Sequence, residues 1–216
     1  MERSLCVPTS TFFNLTEAKK QRLLTAAHAE FSRVPLHEAS INRIIQQAKI
    51  SRGSFYQYFS DKMDLFGYDF IQVHKRQQDD FYQTLIAVKG DFFLAIRTFI
   101  DKNLIDFTSG SENAYFRNVF LSLSFTESQR LRKVIRNKHP HRQINELIDR
   151  TKIKVTDDES LQQLVHLITS ACFQTIGRYC QKNAQTEQFD LKTLRQDLLR
   201  VLDWLENGVV RKTEGA

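Results

Sequence analysis

The sequence is poor in the residues that form tight turns and covalent cross-links. Only 7 glycines and 3 prolines occur among 216 residues, which is few for a sandwich or barrel with many turns, so long helices fit better. The 3 cysteines, Cys6, Cys172 and Cys180, are odd in number and widely spaced. No disulfide framework or zinc spacing is visible, and a reducing compartment is expected.

Long apolar runs are also missing. No stretch reaches the roughly 18 apolar residues of a membrane-spanning helix, and the chain does not open with a signal-peptide pattern. Apolar residues nevertheless make up 41% of the sequence, enough to form a hydrophobic core. The sequence therefore predicts a cytoplasmic all-α protein without a membrane partner.

Positive charge is concentrated near the N-terminus. Residues 1–62 carry nine Lys and Arg against five Asp and Glu, whereas the other 154 residues carry 22 against 20. An anionic partner of the N-terminal part is therefore permitted.

No catalytic set stands out: the acidic pairs Asp79–Asp80 and Asp157–Asp158 are adjacent, so they diverge on a helix. The 6 histidines show no ligand spacing, and neither a metal nor a cofactor is predicted.

Helical periodicity covers most of the chain. Residues 1–13 are expected to form a loose arm, followed by about nine helices. One long helix is expected from Lys62 to about Val88, and another from about Glu127 to Asn137. The last two helices are predicted over residues 159–183 and 190–209.

Residues 38–60 have the layout of a helix-turn-helix. Ser40 is expected to cap a helix over 41–48, a three-residue turn follows, and Ser51 caps a second short helix from Arg52. Phe55 and Phe59 are four residues apart, so they share the buried face of that helix.

Polar residues surround the N-terminal half of the second helix: Arg52, Ser54, Tyr56 and Gln57. Donors at the start of a second helix are suited to base edges in the major groove. The hydroxyls of Tyr56 and Tyr58, together with Lys62, suit phosphates, and Gly53 lets the backbone approach DNA closely. Taken singly, each of these residues is more typical of a solvated surface, and it is their joint arrangement on capped short helices that favours DNA contacts.

Two stretches carry a family resemblance, KKQRLLTAAHAEF and ASINRIIQQAKISRGSFYQYFSDKMDLF. They resemble the DNA-binding domain of the TetR (tetracycline repressor) family of bacterial transcriptional regulators, most specifically at residues 51–62. The resemblance implies base or phosphate contacts by Ser40 and Asn42 and recognition-helix positions at Arg52, Gly53, Ser54 and Gln57. It implies phosphate contacts at Tyr56, Tyr58 and Lys62. One departure is the stretch VPLHEAS, where Leu36 replaces the family's usual aromatic residue.

The resemblance implies two domains and a function. A helix-turn-helix DNA-binding domain is expected at 1–62, and a helical ligand-binding and dimerisation domain at 63–216. The implied protein is a homodimeric repressor that binds double-stranded DNA at a near-palindromic operator and is released by a small apolar or aromatic effector. The alternatives are an adaptor whose motif binds protein, and a small helical enzyme without a recognisable catalytic set.

The last two helices are the predicted dimer interface. Each carries an apolar stripe, and the stripe residues are Leu161, Leu164, Ile168, Cys172, Leu194, Leu198, Val201, Leu202 and Leu205. The alternative is that these stripes pack against their own domain. An effector pocket is expected among the middle helices, lined by Phe70, His74, Phe99, Phe116 and Phe120, although core packing is the plain alternative for these rings.

Overall fold

The computed structural model describes residues 8–109, 112–122, 142–155, 157–182 and 190–209. In these ranges the chain forms ten α-helices, one 3-10 helix and no strand, so the all-α prediction is confirmed. The α-helices are α1 (Ser10–Phe13), α2 (Glu17–Arg33), α3 (Ile41–Ala48), α4 (Arg52–Tyr58), α5 (Lys62–Ala87), α6 (Phe92–Ser109), α7 (Glu112–Ser122), α8 (Arg142–Leu147), α9 (Asp158–Lys182) and α10 (Leu191–Asn207), and the 3-10 helix is Arg150–Lys152.

One predicted segment differs from the structure, and another lies outside the described residues. The predicted helix at 127–137 falls outside the described residues. The sequence places residues 1–13 in a loose arm, but Ser10–Phe13 form α1. The physical reason is Phe12, whose side chain is fully buried and so fixes this turn to the rest of the unit.

The described residues belong to two compact units. The first runs up to Asp80 and resumes between Ser109 and Pro140, and the second contains Phe81 to Thr108 and the residues from His141 onward. The predicted domain boundary after residue 62 stays a prediction. This boundary would fall after the first residue of α5, which begins at Lys62 and runs to Ala87.

In the first unit, α2 packs against both α3 and α7. Its buried stripe includes Leu23, Ala27 and Phe31, at the spacing that places side chains on one helical face. Asn118 of α7 donates hydrogen bonds from Nδ2 to the carbonyl oxygens of Phe31 and Ser32, at 3.0 and 2.9 Å. These carbonyls lie in the last turn of α2, where no helical partner remains for them.

In the second unit, α9 packs against α10 around a single apolar core. Helix α6 and α8 complete this core with Phe92, Ala95 and Ile144. Gly90 precedes α6 with φ at +76°, a conformation that residues with a Cβ rarely adopt. Its carbonyl accepts a 2.9 Å hydrogen bond from the backbone of Asp149, which joins the α5–α6 turn to the segment after α8.

None of the helices described above is at once long enough and apolar enough to cross a bilayer.

Candidate nucleic-acid interface

The turn between α3 and α4 reverses the chain within three residues, as the sequence predicts. Lys49 takes a left-handed conformation with φ at 54°, and the Ile50 N–H donates to the Ile45 carbonyl at 3.0 Å. This bond satisfies one of the free carbonyls at the end of α3. Ala48 is only 1% exposed. Because its side chain is a single methyl group, the two helices can approach closely at this point.

Helix α4 is anchored at its start and along one face. The Ser54 N–H donates to the Ser51 Oγ at 3.0 Å, so the predicted cap is confirmed. Phe55 and Phe59 are fully buried, as their spacing indicates. The opposite side of the helix carries Arg52, Tyr56 and Gln57, all exposed.

Three of the predicted DNA contacts meet at one point on this exposed side. The Arg52 Nη1 donates to the Asn42 Oδ1 at 2.7 Å, and Nη2 lies 3.4 Å from the Tyr56 hydroxyl. The guanidinium carbon also lies 5.7 Å from the centre of the Tyr56 ring. These contacts orient the guanidinium, and they use two of its five N–H groups.

Gly53 lies beside this cluster, and the protein itself does not require a glycine there. A Cβ added at Gly53 would meet only the Ser51 Oγ, at 3.9 Å, among the described atoms. That distance is an ordinary van der Waals contact. Packing within the described part of the chain therefore does not account for the glycine, and the close approach of Gly53 to DNA stays a prediction.

Ser40 occupies the position before α3, but its side chain forms no capping bond. Its backbone N–H instead donates to the Glu30 Oε1 at 2.8 Å. The Glu30 carboxylate is 2% exposed and also accepts bonds from Arg33, at 2.9 and 2.8 Å, and from Arg43, at 3.2 Å. The hydrogen bond from Arg33 lowers the pKa of Glu30, although burial opposes it.

Sequence reasoning missed Glu30, which fixes α3 relative to α2. The sequence feature that could have indicated this role is the position of Glu30 in the apolar stripe of α2, next to Phe31 and three residues before Arg33. An acid on a buried face is seldom left without partners.

Lys62 and Tyr58 are less open than the sequence suggests. The Lys62 Nζ donates to the backbone carbonyls of His37 and Ala39, at 2.9 and 3.0 Å. It thus joins the start of α5 to the loop before α3. Tyr58 is 9% exposed, and its ring lies edge-on to Phe12 at 6.4 Å. Phosphate contacts by Lys62 and Tyr58 stay predictions.

The predicted dimer stripes are largely buried within their own unit. Five members are at most 3% exposed and belong to its core: Leu161, Ile168, Leu194, Leu198 and Leu202. Leu164, Cys172 and Leu205 are partly buried against the same core, and Val201 is half-buried. Burial raises the pKa of the Cys172 thiol to about 11. The large apolar side chains left exposed on these two helices are Leu167 and Trp204, at 52% and 49%.

Three of the predicted pocket residues, Phe70, Phe99 and Phe116, pack against other rings of their own units. Phe70 stacks on Phe66 with ring centres 6.2 Å apart, and Phe99 lies edge-on to Phe81 at 5.4 Å. Phe116 is 8% exposed. His74 lies half-buried on α5, and the side chain of Phe120 lies outside the described residues. The effector pocket stays a prediction.

Comparisons with known proteins agree with this geometry. A family model for the tetracyclin repressor-like C-terminal domain matches residues 91–209, and one for bacterial regulatory proteins of the tetR family matches residues 23–68. No curated protein matches the chain.

Solved structures similar to the chain include two transcriptional regulators. One is a TetR family transcriptional regulator from Chloroflexus aurantiacus J-10-FL, with 24% identity, coverage of 95% of this chain and 100% of that one, and a TM-score of 0.45. The other is a tetR-family transcriptional regulator from Streptomyces coelicolor, with 18% identity, coverage of 88% and 81%, and a TM-score of 0.56. The second likeness supports the fold. Because the C-terminal family model alone spans more than half of the sequence, the chain belongs to the TetR family of DNA-binding transcriptional regulators.

Proposed function

We propose that the protein is a cytoplasmic repressor that binds a near-palindromic operator as a homodimer and is released by a small apolar or aromatic effector. The observation that carries this proposal is the exposed cluster in which Asn42 of α3 meets Arg52 and Tyr56 of α4, a helix anchored by buried phenylalanines. A side chain fixed on the surface before any partner binds loses little conformational freedom on binding.

Base readout is assigned to the exposed side of α4. A guanidinium held in one plane matches the O6 and N7 acceptors of guanine, and the amide of Gln57 matches adenine. Gly53 lets the backbone of α4 come close to the DNA. Ser54 stays a proposed recognition-helix contact and Ser40 a proposed contact to base or phosphate. Proposed phosphate contacts are Tyr56, Tyr58 and Lys62. The half-site of the operator therefore contains a guanine opposite Arg52.

A dimer is needed because one such motif makes few base contacts. Two copies related by a twofold axis read half-sites separated by about one helical turn of DNA, roughly 34–36 Å. Most residues of the predicted apolar stripes are covered by their own chain. We therefore assign the dimer interface to the faces of α9 and α10 that do not contribute to the core of their own unit. Exposed Leu167 and Trp204 are its proposed apolar anchors, because large aromatic residues often dominate such interfaces.

Effector release follows from the same spacing. An effector that prefers a conformation with a different separation of the two α4 helices weakens DNA binding by its differential affinity, typically about 1–3 kcal/mol. Helix α5 is continuous between the unit that contains α4 and the residues after Asp80, so it is the proposed connection.

Selection of duplexes from a random library tests DNA readout. The wild type is expected to enrich a near-palindrome, and Arg52→Ala to lose about 1–3 kcal/mol on it while losing little on random DNA. Lys154→Ala removes an equal charge from an exposed site outside α4, α9 and α10 and is the matched control. Affinity that is independent of DNA sequence would refute the proposal and favour an adaptor that binds protein.

The dimer has its own test. Trp204 is the single tryptophan of the chain, so its fluorescence reports directly on the proposed interface. Dilution of the dimer is expected to shift Trp204 emission to the red, and Leu167→Glu is expected to produce monomers in sedimentation experiments. A stable dimer in the Leu167→Glu variant would place the interface elsewhere.

A further inference from the structure

The segment before α2 packs on the far end of the recognition helix α4. This segment lies outside the residues matched by the family model, which begins at residue 23. The Thr9 N–H donates to the Tyr58 carbonyl at 3.0 Å, and the Thr9 hydroxyl donates to the Gln57 carbonyl at 2.5 Å. Helix α1, which follows at once, contacts α4.

These bonds complete a helix that is too short to be stable alone. Helix α4 has seven residues, and isolated helices below roughly 12–15 residues are marginal in water. The last carbonyls of any helix lack helical partners. Ser51 satisfies an N–H at the start of α4, and Thr9 satisfies two carbonyls at its end. The helix is thus held at both ends, and the second end depends on Thr9, which precedes Gln57 by 48 positions in the chain.

Phe12 supports the same end of α4 through apolar contacts. Its side chain is 0% exposed, with ring-centre distances of 5.1 Å to Phe59, 5.2 Å to Tyr68 and 6.4 Å to Tyr58. Phe59 directly follows α4, and Tyr68 belongs to α5. The Phe12 ring therefore packs where the recognition helix joins α5. Removal of a buried ring of this kind leaves a cavity that neighbouring side chains fill by moving.

We propose that Thr9 and Phe12 are positioning residues that hold α4 in the orientation needed for base readout. They act through α4, and the exposed contacts of Arg52 and Gln57 depend on them. This inference rests on the proposed function of α4 in DNA recognition. It adds a second support to the helix-turn-helix, supplied by residues 8–13.

The experiment compares Phe12→Ala with Phe13→Ala in the full-length protein. Phe13 is the neighbour in α1 and is 49% exposed. Its ring touches Phe12 and Tyr68, at 5.5 and 6.3 Å, but no ring of α4 among the described residues, so Phe13→Ala removes an equal ring from the same cluster without opening a buried cavity and is the matched control. Two quantities are measured: the amide hydrogen exchange of residues 55–59, and the ratio of affinities for a duplex selected by the wild type and a random duplex of equal length. Phe12→Ala is expected to speed exchange about fivefold or more and to lower the affinity ratio about fivefold or more, the loss of one base contact.

A second pair of variants tests the hydrogen bonds without a cavity. Thr9→Val keeps the shape but removes the hydroxyl, and Thr9→Ser restores it. Thr9→Val is expected to speed exchange in α4 by about two- to tenfold, the range for one lost hydrogen bond, and to lower the affinity ratio. Thr9→Ser is expected to retain wild-type values for both. This pair decides the matter if Phe12→Ala does not fold.

The outcomes separate this inference from the proposed function. If exchange in α4 is unchanged in both Phe12→Ala and Thr9→Val, the segment does not hold the helix and the inference is wrong. If exchange rises while the affinity ratio stays at the wild-type value, the contacts are structural only and the positioning role is wrong. If the wild type selects no duplex, the proposed function fails, and with it the role in readout, even where the exchange data show that α1 stabilises α4.

Discussion

Replacing Gly53 with alanine is expected to move stability and DNA affinity in opposite directions. Gly53 is the second residue of α4, it is exposed, and its φ lies outside the positive range that only glycine adopts readily. Alanine stabilises helices relative to glycine because glycine loses more backbone freedom on folding. The same methyl group would separate the α4 backbone from a duplex.

The size of the stability effect follows from the surroundings. A Cβ at this position meets only the Ser51 Oγ, at 3.9 Å, so no steric term opposes the gain. Glycine to alanine is worth about 0.5–1 kcal/mol in a helix interior, which is an upper value for the first turn. For a chain of this size, such a gain raises the Tm by at most about 2–4 °C. The loss of one base contact would cost about 1–3 kcal/mol in binding.

Two assays on one protein preparation test this. Thermal unfolding followed by circular dichroism gives the change in Tm, and fluorescence anisotropy with a selected duplex gives the change in Kd. Gly208→Ala is the control, because that glycine has φ at +81° and open space around it. We expect Gly208→Ala to lower the Tm through backbone strain of about 1–3 kcal/mol and to leave the Kd unchanged.

Each half of the prediction can fail separately. A lower Tm for Gly53→Ala would mean that the space around this residue is not open. An unchanged Kd would mean that the α4 backbone does not approach the duplex at this point, and that Gly53 has no role in readout.

Other substitutions and one chemical probe test the packing. Glu30→Gln is expected to lower the unfolding free energy by about 1–3 kcal/mol at pH 7. The folded-state pKa of Glu30 is lowered. The stability difference between wild type and variant is therefore present above the usual carboxyl pKa and is lost as the pH falls through the folded-state pKa. Urea titrations between pH 7 and pH 3 measure this difference. Gly90→Ala is expected to lower the unfolding free energy by about 3 kcal/mol or more, because the added Cβ would lie 2.5 Å from the Leu147 carbonyl oxygen. If the urea midpoint falls no further than in Gly208→Ala, this packing is contradicted. Cys172, with its pKa raised to about 11, is expected to resist iodoacetamide at pH 7.5 in peptide mapping, and rapid labelling would show that the thiol is accessible.

The helix-turn-helix was predictable because its signals are local. The cap at Ser51 and the four-residue spacing of Phe55 and Phe59 act within one or two turns of chain. The structure confirms both. The side-chain contact between Asn42 and Arg52 was not predictable, although both were candidate residues, because it depends on the angle between α3 and α4.

The apolar stripes on the last two helices show the limit of periodicity. A stripe indicates that one helical face is buried, but it does not say whether the same chain or a second copy covers it. For Leu161, Leu194 and Leu202 the covering residues belong to their own unit. The exposed side chains of Leu167 and Trp204 carry no such periodic signal.

The sequence by itself determined the all-α class, the turn between α3 and α4 and the polar side of the recognition helix. These features depend on residues a few positions apart, whose preferences act before the chain folds. Only the tertiary structure decided the surroundings of Glu30, the attachment of Lys62 to the loop before α3 and the burial of Phe12 beside Phe59. Each of these joins residues that are distant in sequence, and their meeting depends on how whole helices pack.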